Sequence, residues 1–262
     1  MPAGFLYNNV AAGANLSSGD ATFPTMPISN LQDPQPRRRV RFNDGTFFFD
    51  ADFLSAKSID VVGLISTTMT LVSSIRLRLS NDVGFASIVY DSGFVFAEAS
   101  DEGQGNVIMV LPNVVSARYM RINVFDGGVP FIDAGVLVAG ELWRAQRGMG
   151  YGVREGRVML DRRDRNTFTG AEFPVPAIAN PRVAAFTLPS LSTSEARNQH
   201  RDLVRLLGAA KDGLVIMELN DTLAERNRRA IWGAINVPGE DTAVSRDSFP
   251  LSSRALRVVE RL

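Results

Sequence analysis

The sequence predicts a mostly β chain: an N-terminal β-sandwich of jelly-roll type, then a second β-rich unit with one principal α-helix. Three observations carry that expectation. Between residues 41 and 142, short β-branched and apolar runs alternate with Gly, Pro, Asp and Ser turn signals, with hardly a helical pattern among them. Four glycines (Gly148, Gly150, Gly152 and Gly156) fall within nine residues and mark a break. Beyond the break, a single well-capped helical stripe stands among further strand-like runs.

Residues 1–40 lack periodicity, and the prolines between Pro24 and Pro36 remove ladder donors, so the segment reads as an N-terminal arm. Strand-like runs follow at Phe47–Phe49 and Ser58–Ile65. Ser74–Ser80 then alternates strictly, with Ile75, Leu77 and Leu79 on one face and Arg76 and Arg78 on the other. Such a strand is half-buried, with an arginine side turned to solvent or to a partner. Further runs lie at Ile88–Tyr90, Val107–Leu111, Ala117–Val124 and Gly135–Leu142. Seven or so short strands with turn residues between them fit a sandwich over residues 41–147. Residues 148–156 read as a linker and 157–262 as the second unit.

In that unit Arg157–Asp161, Phe173–Ala177 and Arg182–Leu188 are strand-like. Ser192 stands three residues before Glu195, the spacing of a capping box, and Ala196, His200, Leu203 and Leu207 form one apolar stripe. Leu214–Leu219 reads as a strand. Asp221–Asn227 fits a short helix and Ala230–Ile235 a strand, and the rival reading is one helix through Ile235. Arg254–Leu262 reads as a terminal strand.

Composition excludes several classes. The 262 residues carry 28 basic and 28 acidic side chains, a balance unlike that of proteins that grip nucleic acid through phosphates. A chain without cysteine has no disulfide, no thiolate nucleophile and no cysteine-ligated metal. The start has no basic and apolar leader pattern, and no stretch approaches the roughly 20 apolar residues of a membrane span. The expectation is a soluble protein made in a cytoplasm, with no membrane insertion. Only two cations are lysines, Lys57 and Lys211. A genome rich in G and C accounts for that bias, and arginine forks also suit interfaces rich in carboxylates.

Catalytic chemistry finds little support. His200 is the only histidine and sits in the apolar stripe, where a packing or interface role is expected, and no Gly-x-Ser-x-Gly elbow surrounds a serine. Asp50 with Asp52, and Asp101 with Glu102, are the carboxylate pairs, but nothing sets them across a cleft as glycoside hydrolysis requires. Oxygen ligands cluster at Asn43, Asp44, Asp50 and Asp52 in no fixed calcium spacing. The reading is therefore no enzyme, no cofactor and no metal. Two arginine clusters, Arg37/Arg38/Arg39/Arg41 and Arg226/Arg228/Arg229, fit subunit salt bridges or solvated surface.

The runs Ile59–Leu64, Ile75–Ser80, Asp91–Gly93 and Ala117–Ile122, with Pro27–Leu31 upstream, resemble the discoidin-like, galactose-binding jelly rolls of bacteriophage tail proteins. The resemblance covers about half the chain and implies that Arg118 and Tyr119 brace the sandwich. More loosely, the strand through Phe186–Leu191, the capped helix and the terminal Val-Val-Glu-Arg-Leu resemble the ring-forming, tail-tube-like β-sandwich of siphophage distal tail proteins. There the ring domain often comes first; here the order is reversed, which leaves a neighbouring minor tail protein as an alternative. The resemblance implies a virion component at the tail tip, assembled in the host cytoplasm. It implies a homo-oligomer, a hexameric ring around the DNA channel without specific DNA binding, with tail-tube, hub and fibre proteins as partners. The structural candidates are Arg118, Tyr119, Ser192, Glu195, His200, Arg226, Arg228 and Arg229. The alternative is a carbohydrate-binding receptor module, with a host-surface glycan as partner and Phe85, Tyr90 or Phe94 as its aromatic platform.

Overall fold

The computed structural model describes residues 2–99, 104–150, 152–177, 179–208, 210–236 and 251–262. Among them the chain is mostly β, arranged around two seven-stranded sheets. Asp101 and Glu102 lie outside the described residues. No helix is long and apolar enough to cross a membrane among the described residues.

The first sheet is built on two long strands, β4 (Thr46–Ile65) and β8 (Val107–Phe125), paired antiparallel almost throughout. Their register shifts between Asp52 and Lys57, where Leu54 takes a left-handed φ of 66°. Before the shift, β4 and β8 pair with β2 (Asn15–Ser18) and β5 (Ser74–Ser80), and β5 carries β6 (Ile88–Asp91) and β7 (Val95–Phe96). Beyond the shift, β4 pairs with β10 (Val136–Gly140). A small pair, β3 (Val40–Phe42) with β9 (Ile132–Ala134), lies beside them. The interior of this jelly roll is apolar, with Phe42 stacked on Phe47 at 3.7 Å and packed near Phe49.

The second sheet has the order β11 (Trp143–Arg144), β1 (Gly4–Leu6), β16 (Asp212–Ile216), β17 (Ile231–Asn236), β18 (Leu251–Glu260), β15 (Arg182–Ser192), β12 (Arg154–Arg157). Alternation along its strands presents two apolar faces. One face, with Phe5, Val215, Ile231 and Ile235, packs on Leu203 and Leu207 of the helix. The other, with Leu6, Leu214, Ile216 and Trp232, packs on Val61, Ile65, Ile108, Val136 and Val138 of the jelly roll. Fully buried side chains of this size contribute about 1.5–3 kcal/mol each, so a shared cluster this large holds the two sheets together. Asn227, fully buried, closes the junction: it accepts the Ile108 amide at 2.7 Å and donates to the carbonyls of Ala97 and Glu98.

Residues 1–40, read from the sequence as an N-terminal arm, pack into both sheets. Gly4–Leu6 sits inside the second sheet between β11 and β16, so the chain leaves that sheet at Leu6 and returns at Trp143. The jelly roll is an insertion in the other unit. Beyond the β2 ladder on β4, the rest of the segment is fastened by side chains: Gln32 reaches the carbonyls of Ala11, Ala12 and Ala14, and Asn9 bridges Leu137 and Ala139. The expected linker likewise ends in structure, since β12 begins at Arg154.

The capped helix forms as expected. Ser192 and Glu195 make both halves of the capping box before α1 (Thr193–Glu195), and a π-helical turn over Ala196–His200 leads into α2 (Arg201–Leu207). Asp221–Ile235 resolves into the short helix α3 (Leu223–Arg229) and strand β17, the first of the two readings.

Candidate functional site

The jelly-roll layer formed by β2, β4, β8 and β5 turns one side outward. Alternation sets Phe47, Phe49, Ile122, Val124, Ile75 and Leu77 inward. Their neighbours Thr46, Phe48, Asn123, Phe125, Ser74 and Arg76 therefore face away from the core. Near the end of these strands all of them but Arg76 border a cleft of about 400 Å³ together with Asp20 and Phe94.

Three rings frame the cleft. Phe94 and Phe125 are 57% and 55% exposed, unusual for phenylalanines without a partner. Phe48 is half-buried and fixed: a side chain at Gly19 would meet its ring at 2.0 Å, so only glycine lets that ring lie against the β2 turn. Polar groups lie between the rings. Asp20 accepts the Phe48 amide at 2.9 Å, and Asn123 accepts from Arg78 at 3.0 Å.

Beside the cleft runs a row of ion pairs. Arg121 is bidentate to Asp50 at 2.6 Å through both contacts, Arg76 to Asp91 at 2.9 and 2.5 Å, and Arg118 to Asp52 at 2.8 and 3.0 Å. Arg121 also lies over the rings of Phe48 and Phe85, each centred 4.6 Å away. Phe85 holds a left-handed φ of 56°, strained for a phenylalanine, and is buried against the arginines. Asp50 and Asp52, considered from sequence as a carboxylate pair or calcium ligands, are committed to these arginines. No group of three metal-binding side chains occurs among the described residues.

The hydrogen bond from Arg76 holds the Asp91 carboxyl down at about 2, and that from Arg118 lowers Asp52. The hydroxyls of Ser73 and Thr70 lower Asp126 in the same way. A carboxylate ionised more readily in the folded than in the unfolded chain stabilises the fold above the unfolded pKa of roughly 4. That contribution fades as pH falls towards 2. Melting temperature is therefore expected to drop between pH 4 and pH 2, and Asp91→Asn to shallow that drop; an unchanged profile in the variant would contradict the assignment.

The other sequence candidates make contacts within the chain. Arg118 ties β8 to β4 and lies 4.9 Å over the half-buried Tyr119 ring. Glu195 is buried; burial pushes its carboxyl up, but the amides of Gln146 and Ser192 and the Ser192 hydroxyl outweigh this and bring it down. His200 is buried edge-on to Trp143. Arg226 reaches the carbonyls of Leu219 and Asp221, Arg228 pairs with Glu225, and Arg229 with Glu155 and Asp221, so all three have partners within the chain. In the first cluster Arg41 is bidentate to Asp133, Arg38 pairs with Asp33 and Arg39 bonds Ser66.

A larger cavity of about 980 Å³ lies along residues 66–72 against Arg37 and Arg39, but no aromatic ring among the described residues lines it. The smaller cleft has both the rings and the convergent polar groups of a recognition site. Of its residues, only Phe94 stood among the sequence candidates. Phe48, Asn123 and Phe125 come together through strand pairing, and the only local signal for them is the outward phase of the Phe47–Phe49 run.

No family model and no curated protein matches the chain. Solved structures do match about half of it. Chitosan-binding module 1 of a chitosanase/glucanase from Paenibacillus sp. IK-5 is 16% identical at a TM-score of 0.41, covering 51% of this chain and 99% of that one. The CBM32-1 module of a family 31 glycoside hydrolase from Clostridium perfringens is 17% identical at 0.42, covering 52% and 99%. The lectin domain of lectinolysin complexed with Lewis B antigen is 13% identical at 0.41, covering 50% and 95%.

Proposed function

We propose that this chain is a carbohydrate-binding protein that holds a glycan in the cleft on the outward face of its jelly roll and releases it unchanged. The observation that carries the reading is the pairing of exposed rings with fixed polar groups in one concavity. Sugar rings present apolar C–H faces that lie against aromatic rings, and hydroxyls that need donors and acceptors held at set positions. Phe94, Phe125 and Phe48 supply the first; Asn123 and Asp20 supply the second. Among the described residues Asp20 is the one carboxylate that lines the cleft, and binding without cleavage is what that lining supports.

The test is a glycan array probed with the full chain and with Phe125→Ala. The reading expects capture of at least one glycan class by the parent and loss of that signal in the variant. An array without signal for the parent would refute it.

A second reading, compatible with the first, is a structural role at a bacteriophage tail tip, of distal tail protein type, forming a ring and anchoring fibres. It is favoured by the segment between β12 and β15. There β13 (Arg162–Arg165) and β14 (Glu172–Val175) form a two-stranded hairpin, and residues 159–174 are exposed throughout. Met159, Leu160 and Phe173 are more than half exposed, and Phe168 is 98% exposed. A hairpin that exposes Phe168 and Phe173 among arginines beside the β12 sheet edge is a surface a neighbouring subunit would cover. Light scattering with negative-stain imaging is expected to show a six-fold ring, and Phe168→Glu to disperse it without lowering the melting temperature. A monomer at high concentration, even beside tail partners, would contradict this role.

A further inference from the structure

The row of charges beside the cleft is uneven. Arg76, Arg78 and Arg121 stand together on the outward side of β5 and β8, with Arg78 opposite Arg121 in the ladder. Two carboxylates serve them, Asp91 and Asp50, and each is held bidentately by Arg76 and by Arg121. Arg118 has Asp52 to itself. Arg78 has no carboxylate partner among the described residues. Its one hydrogen bond goes to a neutral group, the Asn123 side-chain oxygen, and its Nε is buried without a partner.

Such an arrangement is costly for the free protein. A guanidinium partly removed from water beside two like charges is disfavoured by desolvation and then by Arg76 and Arg121, and its pKa is lowered for those reasons. Asp91 and Asp50 offset this only from a distance, since both are engaged elsewhere. The charge of Asp20, the carboxylate that lines the cleft, sits on the Phe48 amide of β4. That is two strands from β5, roughly 10 Å at the usual strand spacing. The face beside the cleft thus carries one cation in excess, and Arg78 reaches the cleft wall through Asn123, whose side-chain oxygen it holds at 3.0 Å.

We propose that the cleft selects acidic glycans, with the anionic substituent of the sugar held by Arg78 while the ring lies on the phenylalanines. A planar guanidinium suits a carboxylate bidentately and an ester sulfate or phosphate through two oxygens. Binding would supply the counter-charge that the three arginines lack. This inference rests on the glycan-binding reading and narrows its ligand class.

The experiment is calorimetric titration of the full chain with a glucuronate-containing oligosaccharide, with the same oligosaccharide after reduction of its carboxyls, and with a sulfated neutral one. The parent is expected to bind the carboxylated form at least tenfold more tightly than the reduced form, with affinity falling as salt rises. In Arg78→Gln that ratio falls towards one, and in Arg78→Lys part of it returns. Preference for the sulfated over the carboxylated probe would assign the anion as a sulfate or phosphate at the same residue. Equal binding of charged and reduced forms by the parent would overturn the inference and leave the glycan reading standing. Retention of the acid preference in a folded Arg78→Gln protein would overturn the role of Arg78. Failure to bind any of the three, with no signal on the glycan array, would remove both.

Discussion

Replacing Arg182 with alanine is expected to destabilise the chain by about 3–5 kcal/mol, the usual cost of stranding one member of a buried ion pair. Arg182 opens β15 and Glu260 ends β18, and their side chains are 11% and 3% exposed. Glu260 accepts the Arg182 backbone amide at 2.8 Å and its Nε at 2.7 Å, with a further contact from the guanidinium. The same guanidinium donates to the carbonyls of Arg228 and Ala230, where α3 ends and β17 begins. Alanine would leave a buried carboxylate with one amide and strip a donor from two carbonyls at a helix terminus. The damage would fall where β15, β17 and β18 meet. Arg182→Lys keeps the charge without the fork and is expected to recover only part of the loss. Urea denaturation measures both; a loss below about 1 kcal/mol for the alanine variant, the scale of an exposed pair, would show that this network is not holding the sheet.

The largest functional effect is expected at the cleft rings. Phe94→Ala and Phe125→Ala each remove an exposed ring, so their folding stability should stay within about 0.5 kcal/mol of the parent. Glycan affinity should fall roughly ten- to a hundredfold for each, equivalent to about 1.4–2.8 kcal/mol. Gly19→Ala tests the same geometry indirectly. Its methyl group would occupy the place of the Phe48 ring, which must swing away or push the β2 turn aside. Affinity is expected to fall although no atom that touches the sugar has been removed. Wild-type affinity in all three variants would mean that the rings are not the platform.

Much of this architecture was legible in the sequence wherever a local period recorded burial. Strict alternation over Ser74–Ser80 predicted Ile75, Leu77 and Leu79 in the core and Arg76 and Arg78 outside, and all five lie so. The Ser192–Glu195 spacing predicted the helix start because a capping box is a contact between near neighbours. Long-range pairing was not legible. Gly4–Leu6 is too short to show a period, and its place is set by residues 143–144 and 214–216. The continuity of β4 was hidden by its shift near Leu54, where exposed residues at 54–56 interrupt the apolar pattern. The cleft was half legible for the same reason: Phe94 and the arginine side of β5 announce themselves locally, whereas Phe48, Asn123 and Phe125 acquire their meaning only once β4, β8 and β5 are in register.

Glycan binding at the outward jelly-roll cleft is decided by the backbone amide shifts of the isotopically labelled chain, followed while the oligosaccharide chosen on the array is titrated in. Perturbations centred on Phe48, Phe94, Asn123 and Phe125, spreading to Arg76 and Arg78, are the predicted result. Saturable perturbations centred instead on the cavity between Arg39 and residues 66–72, with the cleft amides unmoved, would contradict it.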